Sequence, residues 1–410
     1  MTEPLTEHTV AQTGAVPVTA FLIGAIALQT AIPPFATDMY TPAFPRVTTD
    51  LGTTASLIGL TLTAFFVGFA VGQLVGGPWS DERGRRLPLL VGGLVCLVGA
   101  LACAVAPSIW VLLAGRVVQG IGGGIATAVA RAVIIDVARG DQLARVMSVL
   151  QAIGGLAPMI APVVGALIIT VAPWRGIFWA LVGFGALMVL SALRFVPETL
   201  APDRRHSGGL RRSLSGIGEV IHVRTFVAYM LTSAFSGFTM MGYIANASYV
   251  LQSMKGMRPV PYSLFFATTA LTQVLLSVVN ARLIGGVRPR TLITVGLGAS
   301  AVAVATLALG VLLWNTPLVL TCAGFLVLMA VQAFIFGNSG ALAAGSVTHV
   351  AGAAAAVQGV AIAAAWALAA PLASAGGGAT AVPMILVMLV GITGALTSFT
   401  FGTRGLAKRT

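Results

Sequence analysis

The sequence has few charged side chains, and its second half has almost no acids. Of 410 residues only 8% are charged, 11 are Asp or Glu, and no acid follows Glu219. A soluble domain carries about 25% charged residues, whereas this chain is 57% hydrophobic with a mean hydropathy of +0.97. A chain this poor in charge could not cover its surface in water, so we expect lipid to be its solvent. The predicted fold class is an all-α integral membrane protein.

Cysteine and histidine are also scarce. The three cysteines lie within apolar stretches, and their spacing matches neither a metal site nor a disulfide framework. The four histidines lie at or outside the edges of the apolar stretches, and no nucleophile–base spacing is visible. The sequence also has no phosphate-binding loop. It therefore predicts neither an enzyme nor an ATP-driven pump, with no catalytic residue, no metal site and no cofactor.

Long apolar runs dominate what is present. A membrane-spanning helix needs about 20 apolar residues, and charges, glycines and prolines divide the sequence into a series of such runs. We place twelve predicted spans at residues 18–43, 54–78, 86–106, 108–136, 143–171, 174–196, 223–251, 260–285, 290–313, 316–337, 346–374 and 380–402. Small residues recur at Gly68, Gly72, Gly76, Gly120 and Gly124, a pattern that suits close contact between helices.

Arginines in the short loops orient the predicted spans. They follow spans 2, 4, 8 and 12 and lie between spans 6 and 7, whereas the opposite loops contain few basic residues. By the positive-inside rule, both termini are expected in the cytoplasm, with the protein in the cytoplasmic membrane of a bacterium. Because the arginines are scattered through loops, the net charge of +12 is interpreted as a topology signal, and no nucleic-acid partner is expected.

The longest polar segment divides the chain near its middle. We expect a cytoplasmic tail at residues 1–17, a six-helix half at 18–196, a cytoplasmic linker at 197–222, a second six-helix half at 223–402 and a cytoplasmic tail at 403–410. Two pseudo-symmetric halves joined by a linker are typical of secondary transporters, whose substrate site lies between the halves.

Short motifs recur in a characteristic order along the chain. They are Gly77-Pro78-Trp79-Ser80-Asp81-Glu82-Arg83-Gly84-Arg85-Arg86, Arg116-Val117-Val118-Gln119-Gly120, Gly154-Gly155-Leu156-Ala157-Pro158, Thr37-Asp38-Met39-Tyr40-x-Pro42, Trp174-Arg175-x-Ile177-Phe178, Pro197-Glu198-Thr199-Leu200 and residues 243–248. The first three resemble motifs of the major facilitator superfamily, and the others resemble its Bcr/CflA group of twelve-span drug:proton antiporters. Glu82 departs from the pattern, since a basic residue is usual there. The resemblance implies the major facilitator fold and multidrug efflux by alternating access, driven by the proton gradient. A monomer is expected to be functional.

The turn between spans 2 and 3 and the end of span 4 carry charges on one side of the membrane. The resemblance implies that Gly77, Asp81, Gly84, Arg85 and Asp136 form a conformational latch of the outward-facing state. The other interpretation is that these charges only set topology and solvate a loop, because exposed ion pairs are often worth about 1 kcal/mol or less.

Span 5 contains prolines, which interrupt a helix, and glycines, which reduce its side-chain bulk. They are Gly155, Pro158, Pro162 and Gly165. Proline inside a helix removes a backbone hydrogen bond and bends the helix, which suits an antiporter helix that moves against the other half. An ordinary kinked membrane helix is the alternative.

Asp38 is the acid that falls well inside a predicted span. An ionisable acid in hydrocarbon is costly and indicates a functional site by default. Arg116 lies about 13 Å into span 4 at the usual helical rise, and Asp38 is the only nearby acid. We expect the two residues to interact, directly or through water, and to couple transport to protons, since burial penalises a charged carboxylate. The alternatives are that Arg116 bonds only backbone carbonyls, or that Asp38 is only its structural partner.

A substrate pocket between the halves is expected to be largely apolar with a few polar anchors. The candidate substrate-binding residues are Phe35, Met39, Tyr40, Gln119, Phe235, Phe238, Met241, Tyr243, Asn246 and Gln273, although aromatic residues in a bundle more often only pack. The shortage of acids argues against a polycation as substrate, so neutral or weakly charged drugs such as chloramphenicol-like compounds are expected.

An exporter of an endogenous metabolite or a self-made antibiotic stays open. A receptor or channel is a more distant alternative, since no charged ring indicates a selectivity filter.

Overall fold

The computed structural model describes residues 18–202, 205, 218, 220–347 and 351–403, which form a helical bundle. The helices are α1 Ala20–Asp38, α2 Phe44–Asp50, α3 Ala55–Arg83, α4 Arg86–Ala104, α5 Ile109–Val137, α6 Gly140–Val171, α7 Arg175–Phe195, α8 Arg224–Ser248, α9 Pro259–Leu283, α10 Pro289–Leu313, α11 Leu318–Gly345, α12 Ala351–Ala373 and α13 Val382–Thr403. A 3-10 turn joins α1 to α2, and a π-helical turn, Tyr249–Met254, follows α8. Most of the two predicted tails and of the predicted linker lies outside the described residues.

Eleven helical stretches within the described residues are long and apolar enough to cross a membrane. The predicted seventh span is also a long helix, α8, but it is not among them. Its sequence is rich in polar residues that are buried inside the bundle, including Thr232, Ser233, Ser236, Thr239 and Asn246. A helix that hides its polar side chains among other helices does not need the apolarity of a lipid-facing span.

Several predicted boundaries differ from the helix ends by five or more residues, among them those of α1, which ends at Asp38, of α3, which continues to Arg83, and of α11, which continues to Gly345. The polar residues after residue 337 suggested the end of a span. In the structure, the Asn338 side-chain amide donates to the Asn280 side-chain oxygen of α9 at 2.7 Å and to the carbonyl of Phe334 at 2.9 Å. Because these polar groups are satisfied inside the bundle, α11 does not need to end there.

Helices α3 and α5 are in close contact through their glycines, as the small-residue pattern predicts. A Cβ placed on Gly68 would lie 2.3 Å from the carbonyl oxygen of Val117, and one on Gly120 would lie 2.1 Å from that of Phe65. A methyl group cannot be accommodated at such distances, so only glycine allows this approach. The backbones of α3 and α5 therefore form a rigid pair that holds Arg116.

The buried apolar side chains form two clusters, which correspond to two six-helix halves. The first cluster comes mainly from α1–α7 and the second from α8–α13. Met241, Ala245 and Tyr249, on α8 and just after it, belong to the first cluster despite their position in the second half. Helix α8 therefore lies at the seam between the halves.

The halves are joined at the end of the bundle where α1 ends and α3 begins, which we call the far end. We call the opposite end, where α3 ends and α4 begins, the linker end. Hydrogen bonds cross the seam at the far end: Gln252 to the carbonyl of Pro42 at 3.1 Å, the hydroxyl pair of Thr48 and Tyr249 at 2.8 Å, and Ser56 to the carbonyl of Pro371 at 2.9 Å.

Helices α3 and α12 touch at the far end and separate toward the linker end. A Cβ on Gly59 would lie 2.7 Å from the carbonyl oxygen of Ala370, so the two backbones are in contact there. The Thr63 hydroxyl donates to the carbonyl of Ala367. From Phe66 onward a cavity lies between the two helices. In this conformation α3 and α12 are therefore in contact at the far end and separated by a cavity from Phe66 to Leu74.

Candidate functional site at the seam between the halves

Asp38 is the last residue of α1, and it is the only buried carboxylate among the described residues, with 8% of its surface exposed. Its Oδ1 lies 3.0 Å from the Thr37 hydroxyl, which also lies 2.9 Å from the carbonyl oxygen of Pro33. The Thr41 hydroxyl donates to the backbone carbonyl of Asp38 at 2.9 Å. The carboxyl group is therefore held where α1 gives way to the 3-10 turn, close to the far end.

Two adjacent prolines within α1 interrupt its hydrogen bonding just before Asp38. Pro33 has no N–H, so the carbonyl of Gln29 loses its helical partner. The Thr127 hydroxyl of α5 supplies a replacement and donates to that carbonyl at 3.1 Å. The second carbonyl affected by a proline is that of Thr30. This part of α1 thus depends on side chains rather than on its own backbone.

Arg116 is fully buried and caps the end of α1 instead of pairing with Asp38. Its guanidinium donates to the carbonyl of Ala36 at 2.9 Å, to the side-chain oxygen of Gln119 at 2.7 Å and to the carbonyl of Thr61 at 3.4 Å. A cation is favourable at a helix C-terminus, where carbonyls are unpaired. The described ion pairs do not include one between Arg116 and Asp38. The expected direct contact is therefore wrong for this conformation, and the alternative of carbonyl bonding is closer to what is found.

Aromatic rings surround the Arg116 guanidinium. Its carbon lies 4.6 Å from the ring centre of Phe65, 5.7 Å from that of Tyr40 and 6.0 Å from that of Phe178. Rings at this range attract a cation through their quadrupoles. These contacts stabilise a buried charge that has no carboxylate partner, and they assign Tyr40 to the packing around Arg116.

A hydroxyl group of the second half reaches the turn that follows Asp38. The Tyr262 hydroxyl donates to the Thr41 hydroxyl at 3.4 Å, and the Tyr243 hydroxyl lies 3.1 Å from that of Thr269. Asp38 is thus connected through Thr41 to the closed far end. Tyr262 was not predicted as a site residue, and no sequence motif would have indicated it.

The other candidate substrate residues of the first half are packed within that half. Phe35 stacks on Phe184 with ring centres 5.1 Å apart, Met39 is buried, and Gln119 is fully buried beside Arg116. A Cβ on Gly165 would lie 1.9 Å from the carbonyl oxygen of Met39, so α6 is in close contact with this segment. These residues shape the inner side of the seam more than they present groups to a ligand.

The candidates on the second half divide into two sets. Phe238 and Met241 of α8 pack against the first half's core, so they lie at the seam. Asn246 is fully buried, and neither polar atom of its side chain has a hydrogen-bond partner among the described residues. Two unpartnered polar atoms at such a position indicate a place where a ligand or water could bind. Tyr243, by contrast, lies among rings of the second core, 4.7 Å from that of Phe325.

Two candidates lie away from the centre of the seam. Phe235 lines a shallow, open cavity between α8 and α13, and a Cβ on Gly394 would lie 2.6 Å from its ring. Gln273 is partly exposed on α9. Their positions do not bring them together with Asp38 or Asn246. Helical periodicity alone could not decide which face of α8 is turned inward.

The candidate latch residues come together at the linker end. Arg85 forms ion pairs with Asp81 and, at 2.8 Å, with Asp136, and it donates to the Ser80 hydroxyl at 2.7 Å. Asp81 lies on the last turn of α3 rather than in the predicted loop, and Gly84 and Arg85 form the turn, with φ +89° at Gly84. Gly77 has open space around it. The described ion pairs of this cluster lie within the first half.

Glu198 completes this cluster, and the sequence interpretation gave it no role. Its carboxylate accepts hydrogen bonds from the backbone N–H groups of Arg85 at 2.8 Å and Leu200 at 2.9 Å. Partial burial opposes the charge, but these N–H groups, that of Arg86 and the cation of Arg205 together hold the pKa of Glu198 below its usual value. The Pro197-Glu198-Thr199-Leu200 motif was the available signal. The acid ties the beginning of the linker to the start of α4.

Helix α6 contacts both halves. It is continuous although it contains Pro158 and Pro162. A Cβ on Gly155 would lie 3.3 Å from a methyl group of Val274 on α9, whereas Gly165 contacts α1. The four candidate antiporter residues thus belong to a helix that lies on the seam, and their role in movement stays a prediction.

Comparison with known proteins identifies the class of protein to which this fold belongs. The family model of the Major Facilitator Superfamily matches residues 26–370. The chain therefore belongs to the Major Facilitator Superfamily, and it is a multi-pass membrane transporter rather than an enzyme.

Individual relatives agree with this family. The chain is 32% identical over 373 residues to the uncharacterized MFS-type transporter YdgK of Bacillus subtilis (strain 168), covering 90% of this chain and 92% of YdgK. It is 31% identical over 296 residues to the multidrug resistance protein MdtL of Salmonella heidelberg (strain SL476), covering 71% of this chain and 74% of MdtL.

Solved structures show the same fold at low sequence identity. A POT family transporter in complex with 5-aminolevulinic acid superposes with a TM-score of 0.74 at 12% identity, covering 93% of this chain and 96% of that one. The inward open xylose transporter XylE of E. coli superposes with a TM-score of 0.73 at 16% identity, covering 93% and 95%. The predicted fold class of two six-helix halves is confirmed.

Proposed function

We propose that this transporter is a proton-coupled antiporter of the Bcr/CflA group that exports small, largely hydrophobic drugs or antibiotics by alternating access. One observation carries the proposal: Asp38 is a buried acid with no cationic partner among the described residues, placed beside the hydrogen bonds that close the far end. The name of the relative MdtL supports drugs as the substrate class. We further propose that a monomer suffices and that the proton gradient drives export without a cofactor.

The arginine distribution supports an orientation for the described conformation. The linker end carries the basic turn that contains Arg83, Arg85 and Arg86, so by the positive-inside rule it would face the cytoplasm of the bacterial cell. Both termini would then be cytoplasmic. A bundle that is closed at the far end, with a cavity between α3 and α12 on the linker side of that contact, would be ready to receive a drug on the cytoplasmic side of the membrane.

The Thr37 hydroxyl provides a way for the charge on Asp38 to affect α1. This hydroxyl has one hydrogen and two neighbouring acceptors, Asp38 Oδ1 and the carbonyl of Pro33. When Asp38 is ionised, the hydrogen goes to the carboxylate, because charge-assisted hydrogen bonds are the stronger ones. When Asp38 is protonated, its own O–H donates to Thr37, whose hydrogen turns to Pro33. Protonation would therefore alter α1 at the proline interruption.

This exchange gives a transport cycle. Ionised Asp38 would favour drug binding from the cytoplasm, and a proton arriving from outside would neutralise it and release the drug outward. Loss of the proton to the cytoplasm would reset the site. One proton crossing 100 mV supplies about 2.3 kcal/mol, which corresponds to roughly fiftyfold accumulation of an exported drug.

Transport in inverted membrane vesicles with an imposed pH gradient tests the proposal. We expect gradient-driven uptake of labelled chloramphenicol or another neutral antibiotic from a panel, and its loss on addition of a protonophore. Asp38→Asn should abolish uptake because the second half has no acid to replace it. Asp50→Asn is the matched control, since Asp50 is an exposed acid near the far end that pairs with Arg175. Equal gradient-driven uptake by Asp38→Asn and the unmodified protein would disprove the coupling role.

A further inference from the structure

A cavity of about 300 Å³ lies between α1, α3 and α12, apart from the candidate substrate residues. Its walls include Pro33 of α1, Phe66, Phe69 and Gln73 of α3, and Ala363 and Trp366 of α12. The volume is at the lower end of the range for sites that bind small molecules. It begins where α3 and α12 separate, so its width depends on how the halves are arranged.

The walls of this cavity are aromatic and uncharged. Phe66 and Trp366 meet edge to face with ring centres 5.1 Å apart, and none of the described lining residues is an acid or a base. Gln73 supplies the one side-chain amide. Aromatic rings prefer offset or edge contacts with other rings, and a charged ligand would lose its hydration here without gaining a partner. The chemistry fits a neutral aromatic molecule with a hydrogen-bonding group.

The mouth of the cavity is flanked by surfaces that would face lipid. Leu74 of α3 and Val360 of α12 both line it, and they are 40% and 45% exposed. Val67 and Val71 extend the same exposed apolar face of α3. In a membrane-spanning bundle, such a face contacts acyl chains. A lipophilic molecule dissolved in the bilayer could therefore reach the cavity without passing through water.

The inner wall of the cavity leads toward Asp38. Pro33 lines the cavity, and its carbonyl lies 2.9 Å from the Thr37 hydroxyl, which in turn contacts the Asp38 carboxylate. Pro33 and Asp38 are about 7.5 Å apart along the helix axis at the usual rise. A ligand against Pro33 would thus press on the segment of α1 whose hydrogen bonding the proton changes.

We infer that the cavity between α1, α3 and α12 is a binding site for neutral aromatic molecules that reach it from the lipid phase. The inference rests on the proposed drug export in one respect, since the bound molecule is taken to be a transported substrate. Binding itself needs no proton gradient, so the two proposals can fail separately.

The test uses two probes with the same ring system and different charge, naphthalene-2-carboxamide and 2-naphthoate. Binding to the purified full-length protein in detergent is followed by the fluorescence anisotropy of the probe. We expect saturable binding of the carboxamide and at least tenfold weaker binding of the anion. Ala363→Leu fills the cavity and should weaken carboxamide binding at least tenfold. Ala364→Leu, the same change on the exposed side of α12, should alter it less than twofold.

A second variant protects the test against misfolding of Ala363→Leu, whose melting temperature is checked first. Gln73→Leu keeps the side-chain size but removes the amide, so it should weaken carboxamide binding several-fold and leave binding of naphthalene unchanged. Equal affinities in Ala363→Leu and Ala364→Leu, or equal binding of the anion, would overturn the inference. So would a phospholipid that native mass spectrometry finds on the unmodified protein but not on Ala363→Leu, if the carboxamide does not bind.

The route of access has its own measurement. In lipid nanodiscs, emission of the bound carboxamide should be quenched by phospholipids brominated on their acyl chains, and little by iodide in the water. Quenching by iodide alone would show that the cavity is reached from the aqueous side. Asp38→Asn should retain probe binding. If Asp38→Asn binds the probe and still transports with the gradient, only the coupling role of Asp38 is wrong. If the unmodified protein transports but does not bind the probe, only the proposed cavity site is wrong.

Discussion

The two halves of the bundle bury different kinds of polar side chain. The first half buries Asp38, Arg85 and Arg116, all of which are ionisable. The buried polar side chains described in the second half are neutral, among them Asn246, Ser236, Gln332 and Asn338. Several of the neutral ones, including both polar atoms of Asn246, have no partner among the described residues.

This difference separates two tasks that a coupled transporter must perform. A charge in a low-dielectric bundle is strongly affected by protonation, so the first half is suited to sense the proton. Neutral amides and hydroxyls can hydrogen-bond many ligands and do not change between pH 5 and 8. The second half is therefore suited to hold substrate, and α8, which contributes to the first half's core, connects the two.

Proton release on ligand binding gives the largest expected contrast between the halves. Chloramphenicol added to weakly buffered, detergent-solubilised protein should release protons from the unmodified protein and none from Asp38→Asn. Asn246→Ala should retain the release but require more ligand, because it removes an amide and leaves the acid in place. A pH indicator dye measures the effect. Release that persists in Asp38→Asn would assign the proton to another group and remove the contrast between the halves.

Replacement of Arg116 should have the next largest effect, which concerns stability. Arg116→Ala leaves the buried carbonyls of Ala36 and Thr61 without this donor, so we expect a loss of about 3 kcal/mol. Arg116→Lys keeps the charge, but its compact ammonium lacks the planar fork of donors that reaches these separate acceptors, so it should be intermediate. Arg131→Ala, an exposed arginine on the same helix, is the matched control for thermal unfolding in detergent. Equal losses in the two alanine variants would mean that Arg116 does not cap α1.

Two asparagines of the second half should respond in opposite directions to the same change. Asn246→Leu removes two unpartnered buried atoms and should raise the stability of the ligand-free protein by about 1 kcal/mol. Asn338→Leu leaves the side-chain oxygen of Asn280 without its donor and should lower stability by a similar amount. Thermal unfolding in detergent measures both. A loss of stability in Asn246→Leu would show that Asn246 already has partners and is not available to substrate.

The smallest expected effect concerns pH at the linker end. The pKa of Glu198 is held below its usual 4.5, so its charge stabilises the folded state above that value. This contribution is lost as the pH falls from 4.5 through the lower folded pKa. Glu198→Gln should therefore melt below the unmodified protein at pH 7, and the difference should shrink toward pH 3. A constant difference across that range would mean that the carboxylate's charge contributes nothing.

The sequence predicted the helices better than the contacts among their side chains. Apolar length located α11, but only the Asn280–Asn338 pair explains why α11 continues beyond residue 337. The proximity of Asp81, Arg85 and Asp136 was predicted, because their motif and their place at helix ends restrict where they can lie. The Arg116–Asp38 contact was expected because Asp38 was the only nearby acid. Bonding of Arg116 to backbone carbonyls stayed open as the alternative, because the sequence could not show that the carbonyls at the end of α1 lie within reach of the guanidinium.

By itself, the sequence determined that the chain is a helical membrane protein with one buried acid, since low charge and apolar length leave few other solutions. Its order of motifs also indicated the superfamily. The tertiary structure decided which groups meet: Arg116 with carbonyls rather than with Asp38, and Tyr262 of the second half with Thr41 beside Asp38. It also decided that a cavity separates α3 from α12 beyond Phe66. These outcomes depend on competition among partners that are far apart in the chain. Spacing along a sequence cannot settle that competition, because it does not record how helices from different halves are placed against each other.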